Sequence, residues 1–224
     1  MAKMKMTSSG GSFQDPQAGT FAGVCVRVID LGTQEQEWEG IKSNKRQLML
    51  GCELHGDSVD SDASGFMTDE LGQIDPSKPF LVSAWLTASF HEEATLRKYM
   101  ESCCGTPYTE QQIAEFEADG FDWALMLGVP CMVKMGLNKK GKVKIQGINR
   151  LQKNLTAPVP VNKPIAFSLD EYDQATFDAL PHGIRDIIAK SPEWKALNGV
   201  PVAGAAPVAK QAAEGAPFDD EIPF

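Results

Sequence analysis

The chain has 224 residues, of which 42% are hydrophobic, and its mean hydropathy is −0.23. It contains no run of the roughly 18 apolar residues that a membrane span needs, and no apolar signal-peptide core lies in the first residues, MAKMKMTSSGGSF. The formal charge of −9 argues against a simple basic nucleic-acid-binding domain. The composition predicts a cytoplasmic protein, in a cell or an infected host cell, with one domain and appendages.

Three strands are predicted in the first part of the chain. Residues 1–18 are small and polar and are predicted to be disordered. Alternation predicts a first strand over 19–29, with Val28 on the face of Ala22, Val24 and Val26, opposite Phe21, Cys25, Arg27 and Ile29. A polar connection over 30–44 leads to a strand over 46–54, with Leu48, Leu50, Cys52 and Leu54 inward and Gln47, Met49 and Glu53 outward. An acidic loop then runs to Pro79, before a strand over 80–88.

Helical signals follow the third predicted strand. Ser89 with Glu92, and Thr109 with Gln112, have the spacing of capping boxes and predict helices over 90–103 and up to about Asp119. Asp122 is predicted to cap a short helix that ends at Gly128.

A strand hairpin and a second helical stretch complete the pattern. Strands are predicted over 130–137 and 142–151, joined by Asn138-Lys139-Lys140-Gly141, in which Gly141 takes a positive φ. After a Pro-rich link over 157–164, further helices are predicted, with a capping box at Ser168 and Glu171 and a cap at Ser191. This piece is too small for a core of its own and should dock on the rest of the chain or on another protein.

Three strands, a helical insert and a hairpin predict a β-barrel with helical insertions, an α+β fold of the five-stranded OB type. The insert lies between the third and fourth strands. The predicted organisation is a disordered N-terminus (1–18), an OB-fold domain (19–156), a helical appendage (165–199) and a flexible linker with an acidic tail (200–224).

No catalytic constellation is recognisable, so the sequence favours a binding protein over an enzyme. The five cysteines form no C-x-x-C pair and the three histidines lie far apart, which predicts buried free thiols, no metal site and no cofactor. The acids beside His91 could be imagined as metal ligands, but adjacent helix positions point apart and solvated acids at a helix N-terminus are the better interpretation.

Charge distribution indicates where a polyanion would bind. Residues 134–153 contain seven basic and no acidic side chains, whereas residues 53–75 contain seven acidic and no basic ones. An OB-fold meets nucleic acid with strands 2 and 3 and with the loops between strands 1 and 2 and between strands 4 and 5. The candidate contacts on these elements are Trp38, Lys42, Lys45, Arg46, Trp85, Lys134, Lys139, Lys140, Lys142 and Lys144. Two alternatives remain: Trp85 covered by the helical insert, and the lysines as a solvated hairpin.

The chain ends in three acids followed by Ile-Pro-Phe. The six residues are Asp219, Asp220, Glu221, Ile222, Pro223 and Phe224. An aromatic anchor and a terminal carboxylate on an acidic string suit a basic, apolar pocket of a partner protein. A tail that only aids solubility is the alternative.

The DDEIPF ending resembles the tail of single-stranded DNA-binding proteins (SSBs), with Glu221 where Asp is common. The runs GTFAGVCVRVIDLGTQ, KRQLMLGCEL, PFLVSAWLTASF and LPHGIRDIIAKSPEW resemble the bacteriophage-type group of this family. The resemblance implies sequence-nonspecific coating of single-stranded DNA in replication, recombination and repair, and recruitment of replication or recombination proteins through the tail. It allows a homo-oligomer, since such proteins occur as monomers, dimers and tetramers. An OB-fold accessory or adaptor protein whose main ligand is another protein is the alternative.

Overall fold

The computed structural model describes residues 14–38 and 41–199, and describes Trp38 through its backbone only. The strands are β1 (Gly19–Trp38), β2 (Ile41–His55), β3 (Phe66–Thr68), β4 (Ile74–Pro79), β5 (Leu81–Thr87), β6 (Pro130–Leu137), β7 (Val143–Arg150) and β8 (Ile165–Phe167). The helices are α1 (Thr95–Cys104), α2 (Glu110–Asp119), α3 (Gln174–Ala179), α4 (His182–Ile188) and α5 (Pro192–Leu197), with a 3-10 helix over Trp123–Met126.

The fold is mixed α+β with a mostly antiparallel main sheet. Its strands follow the order β5-β2-β1-β6-β7, and β8 adds to β1 in parallel. The path is open, with β5 and β7 as its two edges, so the pairing does not show the predicted barrel. As predicted, the helical insert lies between the third and fourth of these five strands in chain order, β5 and β6.

One hydrophobic core fills the inner face of the sheet beneath α1. The alternation predicted for β2 is confirmed here, because Leu48, Leu50, Cys52 and Leu54 all belong to this core. From α1, Leu96 and Met100 reach the same core, with the four-residue spacing that places side chains on one helix face.

The first strand differs from its prediction in two ways. The register with β2 shifts between Cys25 and Arg27, and the extra residue moves Val28 into the core that contains Phe21 and Cys25. The predicted polar connection over 30–44 is also wrong, since β1 and β2 continue as a paired ribbon as far as Trp38 and Ile41. Backbone pairing holds this ribbon without an apolar face, so hydrophobic alternation gives no signal there.

The outward face of β2 is buried, contrary to expectation. Gln47, Met49 and Glu53 are only 2%, 2% and 0% exposed. Met49 belongs to a second hydrophobic cluster, which joins β1 and β2 to β8 and helices α3 and α4. The C-terminal segment therefore docks on the sheet, one of the two expected outcomes, and covers the face predicted to be open.

A glycine permits this docking at its closest point. Gly32 lies at a second register shift in β1 and has φ +70°. A Cβ at this position would lie 2.5 Å from Cβ of Ser191, the residue that caps α5. Any side chain here would be strained and would push the C-terminal segment away from the sheet.

The predicted helix starts have mixed outcomes. The capping box at Thr109 and the caps at Asp122 and Ser191 are confirmed. The capping boxes predicted at Ser89 and Ser168 are absent, because α1 begins after Ala94 and α3 begins after Asp173. Both serines instead accept a hydrogen bond from the backbone N–H two residues later, a turn geometry that competes with helix. The predicted acidic loop also contains structure, since β3 and β4 form a small hairpin within it.

Candidate nucleic-acid interface

A groove of about 730 Å³ lies between the two edge strands, β5 and β7. One wall is formed by residues 81–86 of β5, and the other by β6, β7 and the turn between them. Thr95 and Tyr99 of α1 also line it. Apolar side chains such as Val82 and Ile145 share the lining with Ser83, Asn138 and Gln146, so the groove suits a ligand with both apolar and polar parts.

The hairpin of β6 and β7 brings the predicted lysines together. We refer to Lys134, Lys139, Lys140, Lys142 and Lys144 with their two strands as the lysine hairpin. Lys139 and Lys144 line the groove, and the other three are exposed on the same hairpin. Among the described residues, none of these five side chains takes part in an ion pair. Their charges are therefore available to an external anion.

The turn of the lysine hairpin is held in one conformation. Oδ1 of Asn138 accepts hydrogen bonds from the backbone N–H groups of Lys140 and Lys142, both at 2.9 Å. Gly141 has φ +74°, as its predicted place in the turn requires. The lysine backbones are thus positioned before any ligand binds, which lowers the ordering cost of an interaction.

The Trp85 side chain contacts two regions of the molecule. It lines the groove and also packs, half-buried, against the second cluster beside Met49. The predicted alternative placed it under the helical insert, but this cluster is formed by the C-terminal segment. One part of the ring supports the docked segment, and another remains accessible from the groove.

The structure separates the remaining predicted contacts from the groove. Lys42 and Lys45 lie on the β1–β2 ribbon, where Nζ of Lys42 is 2.8 Å from Oε1 of Glu35. The hydrogen bond to Glu35 raises the pKa of Lys42. Trp38 is placed only as the residue paired with Ile41, because its side chain lies outside the described part of the chain.

Arg46 is the clearest departure from the predicted site. Its guanidinium pairs with the buried carboxylate of Asp30 and, at 2.8 Å, with Asp170. The hydrogen bond to Asp30 raises the pKa of Arg46 above its ordinary value despite partial desolvation. Asp30 also accepts from the backbone N–H groups of Gly32 and Leu169. Arg46 therefore helps to fasten the C-terminal segment to the sheet, and its charge is already neutralised.

Tyr99 was missed by sequence reasoning. It lines the groove and also a small apolar cavity behind it, together with Cys25, Cys52, Cys103 and Cys131. Leu96, Tyr99, Met100 and Cys103 have the spacing of the inner face of a helix. The predicted binding residues were all on strands and loops, so a residue on this helix face was not among them. The Tyr99 ring reaches the groove because α1 packs against the edge strands β5 and β7, and this packing cannot be read from the sequence.

All five cysteines are free, as predicted, and Cys25, Cys52 and Cys131 are buried, whereas Cys104 is exposed. Hydrogen bonds with Cys131 and Cys25, together with burial, raise the pKa of Cys52, which favours the neutral thiol. Burial raises the pKa of Cys103 to about 12. Over the described ranges, no group of three or more His, Cys, Asp or Glu residues could hold a metal ion.

No helix among the described residues is long and apolar enough to cross a membrane. The predicted tail contacts, residues 219–224, lie outside the described residues. Comparison with protein-family models and with curated proteins finds no match to the chain.

Proposed function

We propose that the chain binds single-stranded DNA without sequence preference, through the groove and the lysine hairpin. The observation that carries this proposal is the unpaired lysines bordering a groove that also presents Trp85 and Tyr99. Aromatic side chains stack on every base, and each stacked base contributes about 1–3 kcal/mol. Lysines bind phosphates and release counterions, whatever the sequence. The proposed role is non-enzymatic and needs no cofactor.

The strand order supports an OB-fold for this function. In the proposed fold, β1, β2, β5, β6 and β7 are the five barrel strands, and the groove marks the opening between the third and the fifth. OB-folds are partly open barrels whose side binds oligonucleotides. Together with the sequence resemblance, this favours an SSB of the bacteriophage type, acting in replication, recombination and repair.

The test is a fluorescence-anisotropy titration of the full chain with an oligo-dT and with duplex DNA of equal length, at several salt concentrations. We expect preference for the single strand, an affinity that falls with salt, and a residual affinity from stacking. Trp85→Leu keeps an apolar side chain against the second cluster and removes the indole. It should lower oligo-dT affinity about tenfold, the equivalent of about 1.4 kcal/mol. Absence of oligo-dT binding at low salt would contradict the proposal.

We also propose that residues 219–224 bind replication or recombination proteins. The support is the sequence alone: three acids followed by the apolar, aromatic Ile-Pro-Phe. In a pull-down of purified candidate partners, Phe224→Ala should abolish the interaction while oligo-dT affinity stays within twofold. Phe218→Ala is the matched control, since it removes the same ring just before the acids. Equal loss with both variants would contradict a specific role for Phe224.

A second candidate function is an adaptor whose main ligand is another protein. This function is favoured because α3 and α4 pack over the outward face of β2. That packing removes part of the surface predicted to bind DNA. The formal charge of −9 points the same way. The oligo-dT titration distinguishes the two, because an adaptor with incidental DNA contact should show no single-strand preference.

A further inference from the structure

The helical insert carries an aromatic cluster that is incompletely covered. Phe90 stacks on Trp123 with ring centroids 5.9 Å apart, and Phe116 and Phe121 meet edge to face at 5.0 Å. All these rings are only half-buried, and α2 contains no buried residue. Leu125 in the following 3-10 helix is 66% exposed. The insert thus presents more apolar area than its own packing uses.

Acidic residues alternate with these apolar residues along the insert. The stretch from Tyr99 to Val133 contains six acids and no Lys or Arg. Five of them, Glu110, Glu115, Glu117, Asp119 and Asp122, are exposed, and within the described ranges they form no ion pair. We refer to these acids with Phe116, Phe121, Trp123 and Leu125 as the insert surface. Its chemistry calls for an occupant that is basic and has an apolar anchor.

The same chain carries a surface of that chemistry. On the lysine hairpin, Leu137 is 59% exposed and is followed closely by Lys139, Lys140 and Lys142. The turn is already fixed by Asn138, so an apolar anchor among unpaired lysines is presented at a lowered ordering cost.

We propose that the insert surface of one copy binds the lysine hairpin of a second copy, head to tail. Two insert surfaces cannot pair with each other, because both are acidic, and two lysine hairpins repel for the opposite reason. The contact is therefore heterologous, and copies can add in series. The net charge of −9 opposes association, but at physiological ionic strength it acts over only about 8 Å. The contact shares the hairpin with the proposed DNA site but does not depend on DNA binding.

Sedimentation of the full chain without nucleic acid, over a range of concentrations at physiological salt, tests the contact. We expect the wild-type mean mass to rise with concentration. Leu125→Glu breaks the insert surface, and the double variant Lys139→Glu/Lys140→Glu breaks the hairpin, so each alone should stay monomeric. An equimolar mixture should form a pair of about twice the monomer mass, because each variant keeps one intact surface.

Leu71→Glu is the matched control, since Leu71 is 83% exposed, lies between β3 and β4 and belongs to neither surface. It should associate like the wild type, and circular dichroism should show all variants folded. A wild-type chain that stays monomeric overturns the proposal. So does a variant that associates alone, or a mixture of the two variants that remains monomeric. All three readouts are independent of DNA affinity, so this proposal can fail while the proposed function stands.

Discussion

Basic side chains lie on both halves of the main sheet, but their surroundings differ. On β2, Lys42 pairs with Glu35, and Arg46 pairs with Asp30 and Asp170. On β6, β7 and their turn, five lysines have no ion pair among the described residues. The charges of Lys42 and Arg46 are compensated within the molecule, and Arg46 also supports docking of the C-terminal segment. The charges of the lysine hairpin have no such partner in the described ranges, and the proposed DNA binding uses them.

The difference teaches that charge sign alone does not identify a binding surface. A guanidinium that is already paired with two carboxylates gains little from a phosphate, because the old ion pairs must first break. An unpaired, exposed lysine gives up only water and counterions. Three variants can break or sharpen this contrast between the two halves.

The largest effect is expected from Asp30→Ala. It removes a buried carboxylate that accepts from Arg46 and from the backbone N–H groups of Gly32 and Leu169. Removing one partner from a buried charged network lowers the free energy of unfolding by about 3–5 kcal/mol. Urea denaturation should show this loss of unfolding free energy. Glu35→Ala, which removes an exposed carboxylate paired with Lys42, is the control and should change stability little. Equal effects would contradict a structural role for the Asp30 network.

The second variant, Glu53→Gln, tests another carboxylate of β2 that holds a distant segment, residues 161–162, against the sheet. The buried Glu53 accepts from the backbone N–H groups of Val161 and Asn162, at 2.9 and 2.6 Å, and from the Asn162 amide at 2.6 Å, and it pairs with His55. Burial tends to raise the pKa of Glu53, but these hydrogen bonds outweigh it and hold the pKa below its ordinary value.

Because the pKa of Glu53 is lower in the folded chain, the ionised form stabilises the fold at neutral pH. This contribution is fully present above the unfolded-state pKa of about 4.3 and is lost as pH falls through the folded-state value. Glu53→Gln should cost about 2 kcal/mol at pH 7. The difference between wild type and variant should shrink in acid, as measured by urea denaturation from pH 7 to pH 3. A difference that is independent of pH would contradict the assigned ionised state.

Sequence patterns predicted the parts of this contrast that are local. Alternation gave the inward face of β2, and the composition of residues 134–153 indicated the lysine hairpin, because both depend on neighbouring residues. Whether Arg46 is free to bind a phosphate depends in part on its ion pair with Asp170, a residue far away in the sequence. Burial of Met49 depends on the same segment. Neither local spacing nor charge counts contain that information, so the predicted site included residues that the fold uses for support.

The smallest effect in free energy is expected from Lys139→Ala/Lys140→Ala, and it should appear in DNA binding rather than in the free energy of unfolding. At about 0.15 M salt, losing two phosphate contacts should weaken oligo-dT binding about tenfold and make the salt dependence shallower by about 1.4 in log–log slope. The matched control is Lys42→Ala/Lys98→Ala, which removes two exposed lysines that are paired with Glu35 and Glu93. Because these charges are already compensated within the chain, oligo-dT affinity should stay within twofold of wild type. If the two double variants lose affinity equally, internal pairing does not decide which lysines bind DNA, and the contrast between the two halves of the sheet fails.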